Sequence, residues 1–467
     1  VKMDRDQWLS QAESAEEAGA PLTAAAIITA TIDVDVEAQD RRSRWQDDAE
    51  RALGKGAVHV ARSIWAHALS VFPTKIDIWL KAVDLERNAG TNEALEALLR
   101  RGVAQIPDAE ILWLMAAKHK WRTCDDIESA RKILKEGFTQ NSDSEALFLA
   151  AVKLEWENGE WERARRLLTR ARQESESQRV WMKSALLEWQ RGNLALERKL
   201  LDVEDGGGAL ARYPNFDKLW LMAGQMEEEE GNAAAARERY GRGLARCHHS
   251  IPLWLAASRL EERTSSETKA RSLLELGRLK NKKNDELWLE SVRLERRAGS
   301  AQLAATLMAT ALQECPSSGI LWAEDIAMHP KVKQRTRAAD ALRACDDDAI
   351  VVLAVARLFW RSGKTSKARK WLERSAVLRP DLGDAWAYYY RFELDQHAKA
   401  VAKAGGGADA ARSAGDGGKR AKAVLRRGAA HEPNRGEYWL AFAKRREQRK
   451  MNAGEILPLI VEGGLVP

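Results

Sequence analysis

Cysteine is scarce. The 467-residue chain has four, Cys124, Cys247, Cys315 and Cys345, and none forms a Cys-x-x-Cys pair. This argues against a disulfide framework or a zinc ribbon and for a reducing compartment. Apolar runs are short as well. No stretch reaches the ~18 apolar residues of a membrane span, and the opening VKMDRDQWLS carries no signal core, so a soluble intracellular protein is expected. The first residue is Val1 rather than Met, and an upstream portion is therefore expected too. Proline numbers 11, Phe 7 and Tyr 6, and no run alternates apolar and polar residues as a strand would. Nucleophile elbow, kinase set and dinucleotide fingerprint are all missing, which leaves no evident active site and no expected cofactor.

Tryptophan, by contrast, is abundant at 18 residues, and its placement is periodic. An anchor position falls at Trp45, Trp79, Trp113, Phe148, Trp181, Trp220, Trp254, Trp288, Trp322, Val352, Trp386 and Trp439, mostly 34 residues apart. That period belongs to helix–turn–helix repeats. Six anchors have a proline six residues earlier (Pro73, Pro107, Pro214, Pro316, Pro380, Pro433). Six have a glycine eleven residues later (Gly90, Gly159, Gly192, Gly231, Gly299, Gly363).

Each marker has a physical role. Proline ends one helix and opens the link to the next. The anchor shares a helical face with apolar residues three and four positions on, such as Ala82 and Val83 after Trp79. Glycine supplies a left-handed residue that stops the first helix. An Ala-Arg pair recurs in the second helix, as at Ala130-Arg131 and Ala270-Arg271. Its small residue permits close approach while the Arg stem covers a neighbour.

Candidate chemistry yields to structural readings. Glutamates recur seven residues after the anchor (Glu86, Glu155, Glu188, Glu227, Glu261, Glu295, Glu393), two turns on and so on the same face. A row of acid/base groups is one reading. A carboxylate paired with an Arg of the adjacent helix, plausibly that of Ala-Arg, suits a residue repeated in every unit better. Cys247-His248-His249 lacks a partner set at metal spacing. Asp33 and Asp35 lack the Gly and Glu of a calcium loop. The glycines of 205–208 lack the Lys-Ser/Thr and preceding strand of a phosphate loop.

Charge is uneven. The net +6 conceals a stretch, 396–450, with fourteen Lys/Arg against five Asp/Glu. Arg426, Arg427, Arg445 and Arg446 are its candidate contacts to RNA or to an acidic partner. A solvated insertion is the alternative. The expected organisation is an atypical repeat or cap at 1–44 and a first repeat block at 45–204. A Gly-rich loop follows at 205–208, then a second block at 209–396 and a flexible Ala/Gly insertion at 397–419. The last repeat, basic segment and terminal cap fill 420–467.

First helices reading W-x-x-A-(A/V)-x-x-E and second helices opening A-R resemble the half-a-tetratricopeptide (HAT) repeat family of RNA-processing proteins. Segments such as ALSVFPTKIDIWLKAVDLERNAGT and RLKNKKNDELWLESVRLERRAG are similar to the HAT-repeat family found in the U5 small nuclear ribonucleoprotein. The resemblance implies an all-α, right-handed superhelical solenoid of HAT/TPR-like repeats, about thirteen helix pairs forming an arch on the order of 100 Å long. It also implies a nuclear, non-catalytic scaffold that bridges U5 to the U4/U6 particle. The implied partners are the large U5 scaffold protein, the U5 helicase and the Nop-domain protein of U4/U6. A scaffold of another RNA-processing complex and a direct RNA-binding solenoid stay open.

Overall fold

In the computed structural model, residues 4–34, 36–174, 177–202, 207–264, 267–404, 408–445, 448, 451–463 and 465 are described. Among them the regular structure is helical, apart from one isolated bridge between Leu382 and Arg435. The chain divides into two units, Val1–Leu187 and Glu188–Pro467, with the boundary inside the helix Gln178–Arg191.

Both units are built from antiparallel helix pairs. The first contains Arg5–Glu17 with Pro21–Thr31, Arg41–Gly54 with Val58–Val71, Ile76–Ala89 with Asn92–Gln105, Glu110–Arg122 with Ile127–Gln140, and Glu145–Glu157 with Trp161–Glu174. The second contains Asp217–Glu229 with Ala233–Arg246, Ile251–Arg263 with Glu267–Lys280, Asp285–Arg297 with Ala301–Glu314, Gly319–Met328 with Lys331–Ala344, and Ala349–Arg361 with Thr365–Leu378. Its final pairs are Gly383–Ala404 with Ala408–Ala430 and Glu437–Ala443 with Ala453–Glu462.

The two helices of a pair bury different amounts of surface. Ile251–Arg263 buries Leu253, Trp254, Ala257, Ser258, Leu260 and Glu261, a face wide enough to meet both its partner and the neighbouring repeats. Its partner Glu267–Lys280 buries only Ala270, Leu274 and Gly277, a single stripe. First helices of successive repeats touch one another, as Asp217–Glu229 touches Ile251–Arg263. Second helices show most of their surface to solvent.

Five of the six expected stop glycines (159, 192, 231, 299 and 363) have φ between 71° and 80°, and Gly19 and Gly56 are left-handed as well, at φ 77° and 84°. Gly90 differs from expectation. It is not left-handed but extended at φ −99°, and a Cβ there would lie 2.0 Å from the Glu86 carboxylate, so glycine is needed for room.

Two other expectations change. The 205–208 insertion was expected after a second helix, but it falls within one. Leu194–Leu201 stops, and one further turn, Ala209–Arg212, resumes because Ala209 and Leu210 still fill the buried positions at the helix end. The 397–419 stretch was expected to be flexible, but in its described part it lengthens the helices of its pair to 22 and 23 residues. Alanine, the strongest helix former, accounts for this. The short spacing after Trp322 arises because Gly319–Met328 has 10 residues and Pro330 starts the next helix almost at once.

Candidate partner-binding surfaces

The anchors come first because they set the geometry of every surface. Trp45, Trp79, Trp113, Phe148, Trp181, Trp220, Trp254, Val352, Trp386 and Trp439 are buried. Trp288 and Trp322 are half-buried, each with a guanidinium over its ring: Arg278 at 4.2 Å and Arg337 at 5.3 Å. Six indoles donate their Nε1–H to the carbonyl oxygen six residues earlier. These are Trp79, Trp113, Trp220, Trp322 and Trp386 to a proline, and Trp254 to His248, at 2.8–2.9 Å. The residue that caps the second helix often reaches the same oxygen. Asn141 bonds Pro107 at 2.8 Å and Asn281 bonds His248 at 3.1 Å, while the Cys247 and Cys345 thiols point at Pro214 and Pro316. Proline at this position thus breaks a helix and also presents a fixed acceptor.

This geometry settles the cysteine and histidine candidates. Cys247 closes its own repeat, and burial pushes its thiol up, as it does for Cys315 and Cys345. The His249 ring lies 4.1 Å from that of His248, tilted by 50°, and contacts Asn281. Among the described residues no cluster of His, Cys, Asp or Glu is arranged to hold a metal. Asp33 lies beside Arg41 at 3.6 Å, and Asp35 lies outside the described residues.

Glu86, Glu155, Glu227, Glu261, Glu295 and Glu393 are ion-paired, and Glu188 accepts from the Asn193 amide at 3.0 Å. Arg62 with Glu86, Arg131 with Glu155, Arg237 with Glu261, Arg271 with Glu295 and Arg369 with Glu393 are each 24 residues apart and joined in two-pronged fashion. Every pair ties the second helix of one repeat to the first helix of the next. Hydrogen bonding to the glutamate raises the pKa of Arg131, Arg237, Arg271 and Arg369 above the usual guanidinium value. Arg198 reaches Glu227 across 29 residues, because the 205–208 insertion lies between them. One pair is reversed. Lys120 occupies the glutamate position and bonds Glu96, which occupies the arginine position, at 2.7 Å and again 24 residues apart. The sequence signal was the constant spacing rather than the residue type, and reading only for glutamate passes over it.

The basic candidates are spread out. Arg426 is exposed and makes no ion pair among the described residues. Arg427 is 3.3 Å from Glu373 and sits over the Trp386 ring. Arg445 lies over Phe442 at 4.3 Å, and Arg446 is outside the described residues.

Grooves missing from the sequence reading run between successive second helices, floored by the first helix in between. One, of about 350 Å³, lies between Asn92–Gln105 and Ile127–Gln140. A second, of about 610 Å³, lies between Ile127–Gln140 and Trp161–Glu174. A third, of about 360 Å³, lies between Ala233–Arg246 and Glu267–Lys280. They follow from the narrow buried stripe of second helices, which leaves their flanks uncovered.

Helix pairs with a shared carbonyl hub, inter-repeat ion pairs and open grooves define a tetratricopeptide-like helical repeat protein. A family profile described as "PRP6, TPR-like domain" matches residues 218–458, and the chain belongs to that family. It is 38% identical over 459 residues to "Pre-mRNA-splicing factor prp1" of Schizosaccharomyces pombe, covering 98% of this chain and 48% of that protein. It is 46% identical over 460 residues to "Pre-mRNA-processing factor 6" of Homo sapiens, covering 98% of this chain and 46% of that protein. The chain therefore spans about half the length of the curated relatives it matches. The crystal structure of yeast Tom70 superposes with a TM-score of 0.40 at 11% identity, over 91% of this chain and 96% of that one.

Proposed function

We propose that this chain is the repeat array of a non-catalytic scaffold in pre-mRNA splicing, acting in the nucleus to bridge U5 proteins to the U4/U6 particle as the tri-snRNP assembles. The large U5 scaffold protein, the U5 helicase and the Nop-domain protein of U4/U6 are its partners in this reading. The observation that carries it is the match over 98% of the chain to two proteins named for pre-mRNA splicing or processing. The surfaces support it too: the recurring carboxylates, which an enzyme would keep available, are tied up in inter-repeat ion pairs.

Affinity purification of the tagged chain from nuclear extract, with and without RNase, tests the reading. Recovery of U5 and U4/U6 proteins in both samples is expected. Loss of those proteins after RNase would shift the function to direct RNA binding. Recovery of a different RNA-processing complex, or of one stoichiometric partner outside splicing, would overturn the assignment.

A further inference from the structure

The groove between Ala233–Arg246 and Glu267–Lys280 differs from the other two in charge and in one unexplained residue. Leu244, Leu260, Leu273 and Leu276 give its lining a large apolar part. Leu276 is 48% exposed, and Leu279, on the same helical face one turn on, is 63% exposed. These are large apolar side chains that this chain leaves uncovered.

Gly241 lies in the wall, in the middle of a helix, where glycine weakens helical structure. Elsewhere in second helices, glycine makes room for the anchor: a Cβ at Gly243 would lie 2.7 Å from Trp220 and one at Gly277 would lie 3.2 Å from Trp254. At Gly241 a Cβ would meet nothing within 4 Å. Packing inside the chain does not account for it, whereas the close approach of an outside segment does.

Charge then selects the occupant. Lys269 lines the groove, Lys280 shares its helix face, and neither forms an ion pair among the described residues. The other charged lining residues, Arg237 and Glu261, pair with each other. The grooves of about 610 Å³ and about 350 Å³ also carry lysines, Lys135 and Lys132, but each sets beside them a carboxylate with no ion pair among the described residues, Asp143 and Glu136, which would oppose an acidic segment. Lys269 and Lys280 are roughly 16 Å apart along the helix axis.

We propose that this groove docks an acidic amphipathic segment of a partner protein, whose apolar residues cover Leu273 and Leu276 beside Gly241 and whose carboxylates reach Lys269 and Lys280. The proposal deepens the scaffold reading and rests on it. The segment lies against Gly241 where any side chain would hold it off.

The test uses the full chain and a fluorescein-labelled 14-residue peptide with leucines at helical spacing and glutamates elsewhere. A control peptide has serine in place of each leucine. The labelled peptide is expected to bind more weakly at higher salt, and the control not to bind. Gly241→Leu fills the groove and is expected to weaken binding about tenfold or more. Gly241→Ala is expected to raise the melting temperature while still weakening binding, which separates the effect from misfolding. Lys269→Glu with Lys280→Glu is expected to remove most of the salt dependence.

No binding of the peptide, or equal binding by the Gly241 variants, overturns the proposal. So does binding of labelled oligouridine that the lysine variants abolish and Gly241→Leu leaves intact, which would assign this face to RNA. Failure here is distinct from failure of the scaffold reading. In the first case the purified chain still brings down spliceosomal proteins; in the second it does not.

Discussion

Six anchor indoles fill the space between the helices of their pairs and also fasten the linker ahead of them. For Trp254 these contributions separate. Trp254→Ala removes both and should cost roughly 3–5 kcal/mol, as buried Trp truncations do. Trp254→Phe keeps most of the packing but leaves the His248 carbonyl with Asn281 alone, and should cost nearer ~1 kcal/mol beyond the lost volume. Hydrogen exchange should show the opening centred on residues 248–281. Protection there equal to wild type in Trp254→Ala would mean the anchor is misassigned.

Asp384 is a second residue with a measurable signature. Its carboxylate accepts the backbone N–H groups of Glu437, Tyr438 and Trp439, at 2.7–3.2 Å, and so holds the start of the helix Glu437–Ala443. Burial raises its pKa from the ordinary 3.8 to about 6, against the opposing effect of those three donors. The folded state therefore holds this proton more tightly than the unfolded chain. The stability it contributes is fully present below pH 3.8 and is lost as pH rises through about 6. NMR titration should place the midpoint near 6, and Asp384→Asn should flatten that part of the stability profile. A midpoint near 3.8 would show that the three donors outweigh burial.

Between elements, the Arg–Glu pairs set how one repeat meets the next. Glu393 is nearly inaccessible at 2% side-chain exposure, while Arg369 is 32% exposed. Removing the arginine alone strands a buried carboxylate, so Arg369→Ala should cost about 2–4 kcal/mol, slightly less than a fully buried pair would. The reversed pair offers a cleaner check. Lys120→Glu opposes two carboxylates across the repeat boundary, and Glu96→Arg added to it recreates the arrangement of the other repeats. The double variant should recover the melting temperature that the single one loses. Coupling near zero in the double-mutant cycle would mean the spacing is incidental.

These elements also explain which parts were readable in advance. The anchors, the helix pairs and the Arg–Glu linkage come from residue type at fixed offsets, because each repeat solves the same packing problem. The carbonyl six residues before the anchor was visible only as a proline, since a backbone acceptor has no letter of its own and His248 serves equally well. The grooves depend on how far second helices stand apart, which no single repeat encodes. In the described part of 397–419 the helix propensity of the alanines carries the helices through a stretch whose glycines read as flexible.

At the scale of the whole molecule, stability is carried by neighbour-to-neighbour contacts, and open grooves with different lining lie at three of the repeat boundaries. Such an array can hold several partners at once without a catalytic centre. In the second unit one longer tie is present: Arg293 bonds both Glu324 and Glu437, the latter 144 residues away, through hydrogen bonds of 2.6 and 3.0 Å. It places the first helix of the Trp288 repeat beside that of the last repeat. The helix Ala453–Glu462 buries Ile456, Leu457 and Ile460 in the cluster that holds Trp386 and Trp439.

The central claim is that one chain holds separate spliceosomal proteins through separate stretches of its repeats. Cross-linking mass spectrometry on complexes purified after RNase treatment tests this most directly. The account predicts that U5 proteins and U4/U6 proteins cross-link to different repeats of the same chain. Cross-links from both sets confined to one short stretch, or appearing only while RNA is intact, would contradict it.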